Sequence, residues 1–382
     1  MTIIAGWVID RIGTKMGLAL ALIIWSIFGI LNAFVGRLVM MHVFIRSAFA
    51  VGEAGNFPAS IKTVAEWFPK RERALATGIF NSGSNFGAMI AALFVPWCLI
   101  HFGDEQGWKM AFILTGAAGF LWLIFWFLFY EIPAKEKRLS QAEYEYIHID
   151  DEVAADKRAG DKTKKVSWGR LFGFRQIWAF FLGKFMTDGV WWFYLFWLPD
   201  YLKKQFGMTK HEVQLPTFIV YGVAIVGSVY GGGLPMVLIK KGLPVYRARM
   251  TAMFIIALFP LVVLTTQYFG NVAQFGKKAA VLAVAAICIG AAAHQAWSAN
   301  LFTTVSDMFP KKAVGSVTGI GTLAGGIGGA IVQKMAGALT DHYQDTPQTA
   351  YLFMFIMCAL SYLAAWGMMK ALVPRFEPIN LD

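Results

Sequence analysis

EWFPKRERALATG (residues 66–78) recurs as DMFPKKAVGSVTG (residues 307–319), at an offset of 241 residues. Both copies keep an acidic first residue, a Phe-Pro pair, two basic residues and a later Thr-Gly. Each copy lies between two long apolar stretches, so each is expected to form a turn between two membrane helices. The repeat therefore indicates two parallel halves, as in transporters that rock two bundles about a central site.

The composition of the 382-residue chain excludes an ordinary soluble domain. Hydrophobic residues make up 57% and charged residues only 15%, whereas a soluble domain carries about 25% charged residues. The cysteines are isolated and form no CxxC pair, so neither disulfides nor a metal site is expected; they are Cys98, Cys288 and Cys358. No Walker motif and no nucleophile–base pair is present, so we expect no enzyme, no ATP-driven pump and no cofactor beyond a coupling proton.

Apolar stretches of about 20 residues, each long enough to cross a membrane as a helix, recur along the chain. The sequence predicts an all-α, polytopic membrane protein with an apolar stub at residues 1–9 and ten full spans, near 16–36, 38–61, 74–100, 108–130, 176–202, 214–239, 249–269, 279–304, 313–340 and 349–372.

A long polar break divides the chain into domains. We predict an N-terminal bundle at 1–130, a linker at 131–175, a six-helix C-terminal bundle at 176–372 and a tail at 373–382. Applying the repeat offset to residue 176 places the start of the first half roughly 50 to 65 residues before Met1. The expectation is that the first helix and most of the second are absent, and that residues 1–9 are the remnant of the second.

The basic residues show which side of the membrane each loop occupies. Of the 34 Lys and Arg residues, 24 fall in one set of alternate breaks, which includes the linker and the C-terminal tail, and 7 fall in the other set. This bias predicts a cytoplasmic linker and C-terminus in the cell (inner) membrane. The net charge of +11 is then a topology signal, and no nucleic-acid partner is expected.

GWVIDRIGTK (residues 6–15) stands at the predicted cytoplasmic end of the stub. It resembles the G-x-x-x-D-R-x-G-x-K loop signature of the major facilitator superfamily, which implies a two-bundle major facilitator fold. The physical role expected of this loop is a charged latch across the cytoplasmic seam between the halves. Asp10 would lie near a helix terminus, and Arg11 and Lys15 would act as donors.

Two longer segments sharpen the resemblance: GEAGNFPASIKTVAEWFPKRERALATGIFNSGSNFGA (52–88) and AHQAWSANLFTTVSDMFPKKAVGSVTGIGTLAGGIGG (293–329). They resemble the anion:cation symporter family, and most of all its hexuronate (sugar-acid) transporters. The resemblance implies inward transport of a sugar acid or another organic anion, typically with protons. The family's first helix, which supplies a basic residue for the substrate carboxylate, has no counterpart in this sequence.

Arg46 and Glu53 match the family's fourth-helix pattern of an Arg followed seven residues later by a Glu. On one helix they share a face about 10 Å apart, too far for a good mutual contact. Each charge costs roughly 2.5 to 3.5 kcal/mol at the centre of a bilayer. We interpret Arg46 as a site for an anion or a carboxylate switch and Glu53 as the proton carrier; the alternative is that each forms a structural ion pair with another helix.

Further polar residues lie inside predicted spans. Lys184 could pair with Asp188, four residues on, or face the cavity and meet a substrate carboxylate. His294 falls 241 residues after Glu53, so the repeat places it opposite that acid. Amides and hydroxyls suit a polyhydroxylated substrate, and the remaining candidates are Asn81, Ser84, Asn85, Gln295, Asn300 and Thr322.

These patterns predict proton-coupled uptake of a sugar-acid anion such as galacturonate or glucuronate. Moving an anion inward against a negative interior costs about 2.3 kcal/mol per 100 mV, and one co-transported proton cancels that cost. The alternatives are a symporter for aldarates, aldonates or aromatic acids, and a non-transporting fragment or membrane sensor. The expected partners are the small organic anion and the lipid bilayer, with the chain acting as a monomer.

Overall fold

The computed structural model describes residues 1–36, 38–149, 168–209, 211–375 and Ile379. Residues 150–167 of the predicted linker lie outside the described residues, as do 376–378 and 380–382 of the predicted tail. The described residues form helices, turns and loops without a strand. The predicted all-α fold is confirmed.

The first half consists of helices α1 (Thr2–Ile12), α2 (Thr14–Leu31), α3 (Val39–Glu53), α4 (Asn56–Trp67) and α5 (Arg73–Phe129). Helix α5 turns back on itself at Gly103, which has a φ of 74°. A Cβ on Gly107 would stand 2.6 Å from the Cα of Leu99, whereas residues eight apart on a straight helix are about 12 Å apart. The two arms of α5 therefore correspond to the predicted spans 74–100 and 108–130.

The predicted single span 38–61 is wrong in two respects. The structure divides it into α3 and α4 around Ala54 and Gly55. Pro58 has no backbone N–H for the carbonyl of Ala54, which accounts for the break. Helix α4 then continues to Trp67, so Lys62, which lies just past the predicted end of the span, is helical.

The Phe-Pro pair of the repeat ends a helix in each half. A residue that precedes proline is pushed out of helical geometry. Phe68, before Pro69, has φ −124° and ψ 137° at the end of α4. Phe309, before Pro310, has φ −107° and ψ 146° after the last residue of the equivalent helix in the second half.

The linker contributes two short helices, α6 (Gln141–Ile147) and α7 (Trp168–Leu171). The second half contains α8 (Arg175–Phe206), α9 (Gln214–Lys240), α10 (Val245–Leu258), α11 (Thr266–Phe269), α12 (Val272–Phe275), α13 (Lys278–Met308), α14 (Val314–His342) and α15 (Pro347–Leu372). A 3₁₀ segment joins α10 to α11, so the predicted span 249–269 is irregular in its middle.

Seven helical segments in the described part of the chain are long and apolar enough to cross a membrane. This number is smaller than the ten predicted spans because α5 counts once although it has two arms. Helices α3 and α4 are each too short after the break, and α8 is not among the seven. The chain is a multi-pass membrane protein.

The Thr-Gly that closes each repeat copy lies where the two halves meet. A Cβ on Gly78 of α5 would stand 2.4 Å from the carbonyl oxygen of Ser228 on α9. A Cβ on the repeat-equivalent Gly319 of α14 would stand 2.3 Å from the carbonyl oxygen of Thr2 on α1. Small residues allow helix backbones to approach this closely in membranes. The halves therefore contact each other along two seams, α5 with α9 and α14 with α1.

Candidate functional site

Lys184 lies buried on α8, with only 4% of its surface exposed. Its Nζ is 2.6 Å from Oδ2 of Asp188, one helical turn further on. The ring centroid of Phe302, on α13, lies 4.1 Å from the same Nζ. Gly325 of α14 leaves room for this pair, since a Cβ there would stand 2.0 Å from Asp188 Oδ2. The structure thus forms the lysine–aspartate pair that the sequence allowed.

His294 is buried on α13 near this pair. A 2.8 Å hydrogen bond joins its Nδ1 to the hydroxyl of Tyr362 on α15. The imidazole also stacks on Trp191 of α8, with the ring centroids 5.2 Å apart and the planes 12° from parallel. No contact joins His294 to Glu53 among the described residues, although the repeat places the two at equivalent positions.

Three buried amides connect the two halves. Asn81 Nδ2 on α5 donates to Gln295 Oε1 on α13 at 2.6 Å. Gln295 Nε2 donates to Asn85 Oδ1 at 3.3 Å. Asn81 Nδ2 also lies 3.4 Å from Ser228 Oγ on α9. The structure therefore brings three of the predicted polar residues into one network that crosses the seam between α5 and α9.

Three other predicted residues make their polar contacts with backbone carbonyls. Asn300 Nδ2 donates to the carbonyl oxygen of Gly231 at 2.9 Å. Thr322 Oγ1 donates to an oxygen four residues earlier, and Ser84 Oγ donates to one three residues earlier. Among the described residues these three side chains take no part in the amide network.

Arg46 and Glu53 are both exposed on α3, and neither forms a salt bridge within the described part of the chain. The Arg46 guanidinium lies 5.3 Å from the ring centroid of Phe112 on the second arm of α5. Glu53 faces a cavity of about 600 Å³, which falls within the usual range for ligand pockets. Its lining residues include Trp25, Asn56, Ser60, Thr63, Trp122 and Trp126.

Asp10 joins the two halves at their second seam. Its Oδ1 is 3.0 Å from Lys62 Nζ and accepts a hydrogen bond from the backbone N–H of Gly315 at 3.0 Å. Its Oδ2 accepts from the backbone N–H and the hydroxyl of Ser316, both at 2.7 Å. Asp10 therefore binds the N-terminal turn of α14, where a negative charge is favourable. Burial nevertheless raises the pKa of the Asp10 carboxyl, against the opposing effects of Lys62 and Ser316.

Among the described residues, the side chains of the other two predicted latch residues have their polar and ring contacts outside the second half. Lys15 Nζ forms a 3.0 Å salt bridge with Glu131, just past the end of α5. The hydrogen bond from Lys15 lowers the pKa of the Glu131 carboxyl. The Arg11 guanidinium lies 3.8 Å from the ring centroid of Trp7 on its own helix. Of the three, only Asp10 has a contact across the seam in the described residues.

A buried ionic cluster that was not predicted surrounds Asp307, the acid that opens the second repeat copy. Arg249 of α10 donates to Asp307 Oδ2 through Nε at 3.0 Å and Nη2 at 2.5 Å. Arg73, at the start of α5, lies 3.9 Å from Asp307 Oδ1 and donates to the carbonyl oxygen of Ser306. A charge in the second half is thus held by arginines from both halves. The repeat contained a signal, because Arg73 and Asp307 both lie in the quoted copies.

Two helical halves that meet along seams holding buried charges and amides define a two-bundle membrane transporter. The chain belongs to the Major Facilitator Superfamily, whose family model matches residues 1–333. Its fold resembles that of the proton:xylose symporter XylE bound to 6-bromo-6-deoxy-D-glucose, with a TM-score of 0.70 at 18% identity. That comparison covers 96% of this chain and 83% of the other. The resemblance drawn from the loop signature is confirmed, and the chain is a transporter rather than an enzyme.

The similar curated proteins are transporters too. The Hexuronate transporter of Escherichia coli (strain K12) is 30% identical over 96% of this chain and 81% of its own length. The D-galactonate transporter of Escherichia coli O6:H1 is 28% identical over 96% and 83%, and the Galacturonate transporter of Dickeya chrysanthemi is 34% identical over 62% and 66%. Matches over 81 to 83% of the relatives' length do not support the expectation that the first helix and most of the second are absent.

Proposed function

We propose that this chain carries a sugar-acid monoanion, such as galacturonate or glucuronate, inward together with protons. The observation that carries the proposal is the buried ammonium of Lys184, which already binds one carboxylate at 2.6 Å. A substrate carboxylate has the chemistry to take the place of Asp188. The amides Asn81, Asn85 and Gln295 have donors and acceptors suited to sugar hydroxyls, and the names of the curated relatives point to the same substrate class.

We propose that Glu53 carries the coupling proton. Its carboxylate faces the cavity rather than a basic residue among those described, so water has access to it. A protonated Glu53 can be enclosed in the protein at low cost, whereas an ionised one is costly to remove from water. Arg46, on the same helix, would sense the charge of Glu53 or bind the anion.

A second substrate class is favoured by two of the relatives. The D-galactonate transporter and the Probable galactarate/D-glucarate transporter GarP of Escherichia coli (strain K12), 26% identical over 97% of this chain, are named for acids other than hexuronates. A dianionic aldarate would need a second cationic partner, and Arg46 is the candidate for it. We place the monoanionic hexuronates first because Lys184 is the buried ammonium of the site.

Uptake by the purified protein in proteoliposomes tests the proposal. We expect an inward pH gradient to drive accumulation of labelled galacturonate, and unlabelled glucuronate to compete with it. Galactose, which has the same ring without the carboxylate, should compete weakly. Accumulation of labelled galactonate or galactarate, but not of labelled galacturonate, would assign the second substrate class. Accumulation of substrate that does not depend on the pH gradient would contradict proton coupling.

We also propose how the chain is oriented in the membrane. The chain would lie in the cell (inner) membrane as a monomer, with the linker and the C-terminus in the cytoplasm, as the distribution of basic residues indicates. The contacts of Asp10 and Asp307 would then close the cytoplasmic side of the transport path.

A further inference from the structure

We infer that Asp188 is a second proton acceptor, which takes up a proton when the substrate carboxylate replaces it on Lys184. The inference rests on the proposed function, in which Lys184 binds that carboxylate. Asp188 would then be a specificity-determining residue: the empty site keeps its own carboxylate on the lysine, and an anionic substrate must displace it.

The surroundings of Lys184 leave room for one carboxylate partner. Asp188 Oδ2 lies 2.6 Å from Nζ, and the face of Phe302 covers the ammonium from α13 with its centroid 4.1 Å from Nζ. The side chain of Lys184 is 5% exposed and that of Asp188 is 17% exposed. Asp188 is therefore the more accessible member of the pair, so an incoming anion reaches Lys184 from the side of Asp188.

Displacement leaves the Asp188 carboxylate without its cation. Lys184 is the charged group that acts on Asp188 among the described residues. Removing one member of a buried ion pair leaves an uncompensated charge, whose cost exceeds that of the intact pair. A carboxylate in that position takes up a proton and becomes neutral.

Three other helices pack against this part of α8. Helix α14 contributes Gly325, which has no side chain and leaves space for the carboxyl group. Helix α13 contributes His294, which lies within electrostatic range of Lys184. Helix α15 contributes Tyr362, which lies within range of Asp188 and is hydrogen-bonded to His294. His294 is accordingly the competing proton acceptor.

The charges balance through a transport cycle. The empty site holds one ammonium and one carboxylate, and the loaded site holds the ammonium, the substrate carboxylate and a neutral Asp188. The proton comes from water on the side of entry and bonds to a carboxyl oxygen of Asp188. When the substrate leaves, Asp188 binds Lys184 again and releases the proton on the side of exit. The return of Asp188 also competes with rebinding of the substrate.

Proton uptake on binding tests this inference. The Glu53→Gln protein, purified in detergent and weakly buffered with a pH indicator dye, is mixed with saturating galacturonate. In this background Glu53 cannot contribute, and we expect about one proton per bound substrate. Linkage then makes the dissociation constant for galacturonate rise by up to tenfold per pH unit on the alkaline side.

The Glu53→Gln/Asp188→Asn double variant is the matched comparison. It should bind galacturonate without proton uptake and with a dissociation constant that no longer depends on pH. The Glu53→Gln/Asp188→Glu protein keeps a carboxylate and should keep the proton, which covers the case in which the asparagine variant fails to fold.

Three outcomes would contradict the inference. Galacturonate binding by Glu53→Gln without proton uptake would overturn it, and so would unchanged proton uptake in a folded double variant. Proton uptake that disappears only in Glu53→Gln/His294→Gln would move the proton to the histidine. A wild-type protein that binds no sugar acid would instead contradict the proposed function.

Discussion

At Lys184 one ammonium group holds two neighbours of different chemistry, the carboxylate of Asp188 and the aromatic face of Phe302. A substrate carboxylate can compete for the first contact and leave the second in place. The positive charge of residue 184 should therefore matter for the acid group of a substrate and little for its hydroxyls.

Lys184→Gln should weaken binding of galacturonate far more than binding of galactose. Hydrogen bonds to charged groups contribute about 1.5 to 3 kcal/mol, so the dissociation constant for galacturonate should rise roughly 10- to 150-fold. Isothermal titration calorimetry with both sugars measures the difference, and thermal unfolding checks that the variant folds. Lys334→Gln, which removes an exposed lysine on α14, is the control. Equal losses for the two sugars would show that Lys184 does not select the carboxylate.

Glu53→Gln mimics the protonated acid, so it should still bind substrate and exchange it across the membrane. Its accumulation driven by a pH gradient should fall below that of the wild type, because no proton leaves and rejoins residue 53 in the cycle and only the proton of Asp188 remains. Counterflow and gradient-driven uptake, measured side by side in proteoliposomes, separate the two activities. Gradient-driven accumulation equal to that of the wild type would remove Glu53 from the coupling step and leave Asp188 or His294 as the carrier.

The sequence predicted individual polar residues better than their partners. The pairing of Lys184 with Asp188 follows from their spacing on one helix. The cluster of Asp307 with Arg249 and Arg73 could not be predicted in this way, because it joins residues on three elements that are far apart in the chain. Asn81 and Gln295 were both candidates, but only the packing of α5 against α13 brings their amides together.

At the scale of helices, the repeat located a turn in each half, but the predicted spans ended early, at 61 and 304, whereas α4 runs to Trp67 and α13 to Met308. Phe68 and Phe309 leave helical geometry before their prolines, as the repeat indicated. The break before α4 depends on Pro58, within a span that hydrophobicity alone joins together. Hydrophobicity shows which residues can lie in lipid, whereas the break between α3 and α4 depends on the missing backbone N–H of Pro58.

The equivalent close contacts at Gly78 and Gly319 should tolerate no large side chain. Gly78→Leu and Gly319→Leu would each force backbones apart, since even a Cβ would stand 2.4 or 2.3 Å from a carbonyl oxygen of the facing helix. Overpacking of this kind costs about 1 to 3 kcal/mol, visible as a lower thermal unfolding temperature. The controls are Gly83→Leu on α5 and Gly326→Leu on α14, where nothing lies within 4 Å of the added Cβ. Equal effects at all four sites would show that these seams are not closely packed.

Asp307→Asn should destabilise the protein more than Glu66→Gln, the matched change in the first repeat copy. Asp307 pairs with the buried Arg249 and lies near Arg73, and removing one partner from a buried ion pair costs about 3 to 5 kcal/mol. Glu66 accepts from the neutral hydroxyls of Thr14 and Tyr130, so its change should cost only about 1 kcal/mol. Chemical or thermal unfolding in detergent measures both. Similar losses would mean that the arginines find other partners when Asp307 is neutral.

For the whole molecule, the repeat correctly indicated two equivalent halves, and it did so because the same helix ends and the same close contacts recur. Helix α5 meets α9 across one seam, and α14 meets α1 across the other. The composition could predict a membrane protein and the repeat could predict its two halves. Neither could predict that Asp10 caps α14. That contact depends on how the two halves pack against each other, which a local sequence pattern cannot predict.

The orientation of the chain can be measured with single cysteines, because all three native cysteines are buried and should react slowly. Lys240, at the end of α9, and Gln274, in α12, are both exposed and lie at opposite ends of the second half's helices. The basic-residue bias places Lys240 inside and Gln274 outside. A membrane-impermeant maleimide added to intact cells should therefore label Gln274→Cys, and should label Lys240→Cys only after lysis. The reverse pattern would place the contacts of Asp10 and Asp307 on the outer face, so that in this conformation the transport path would be closed from outside rather than from the cytoplasm.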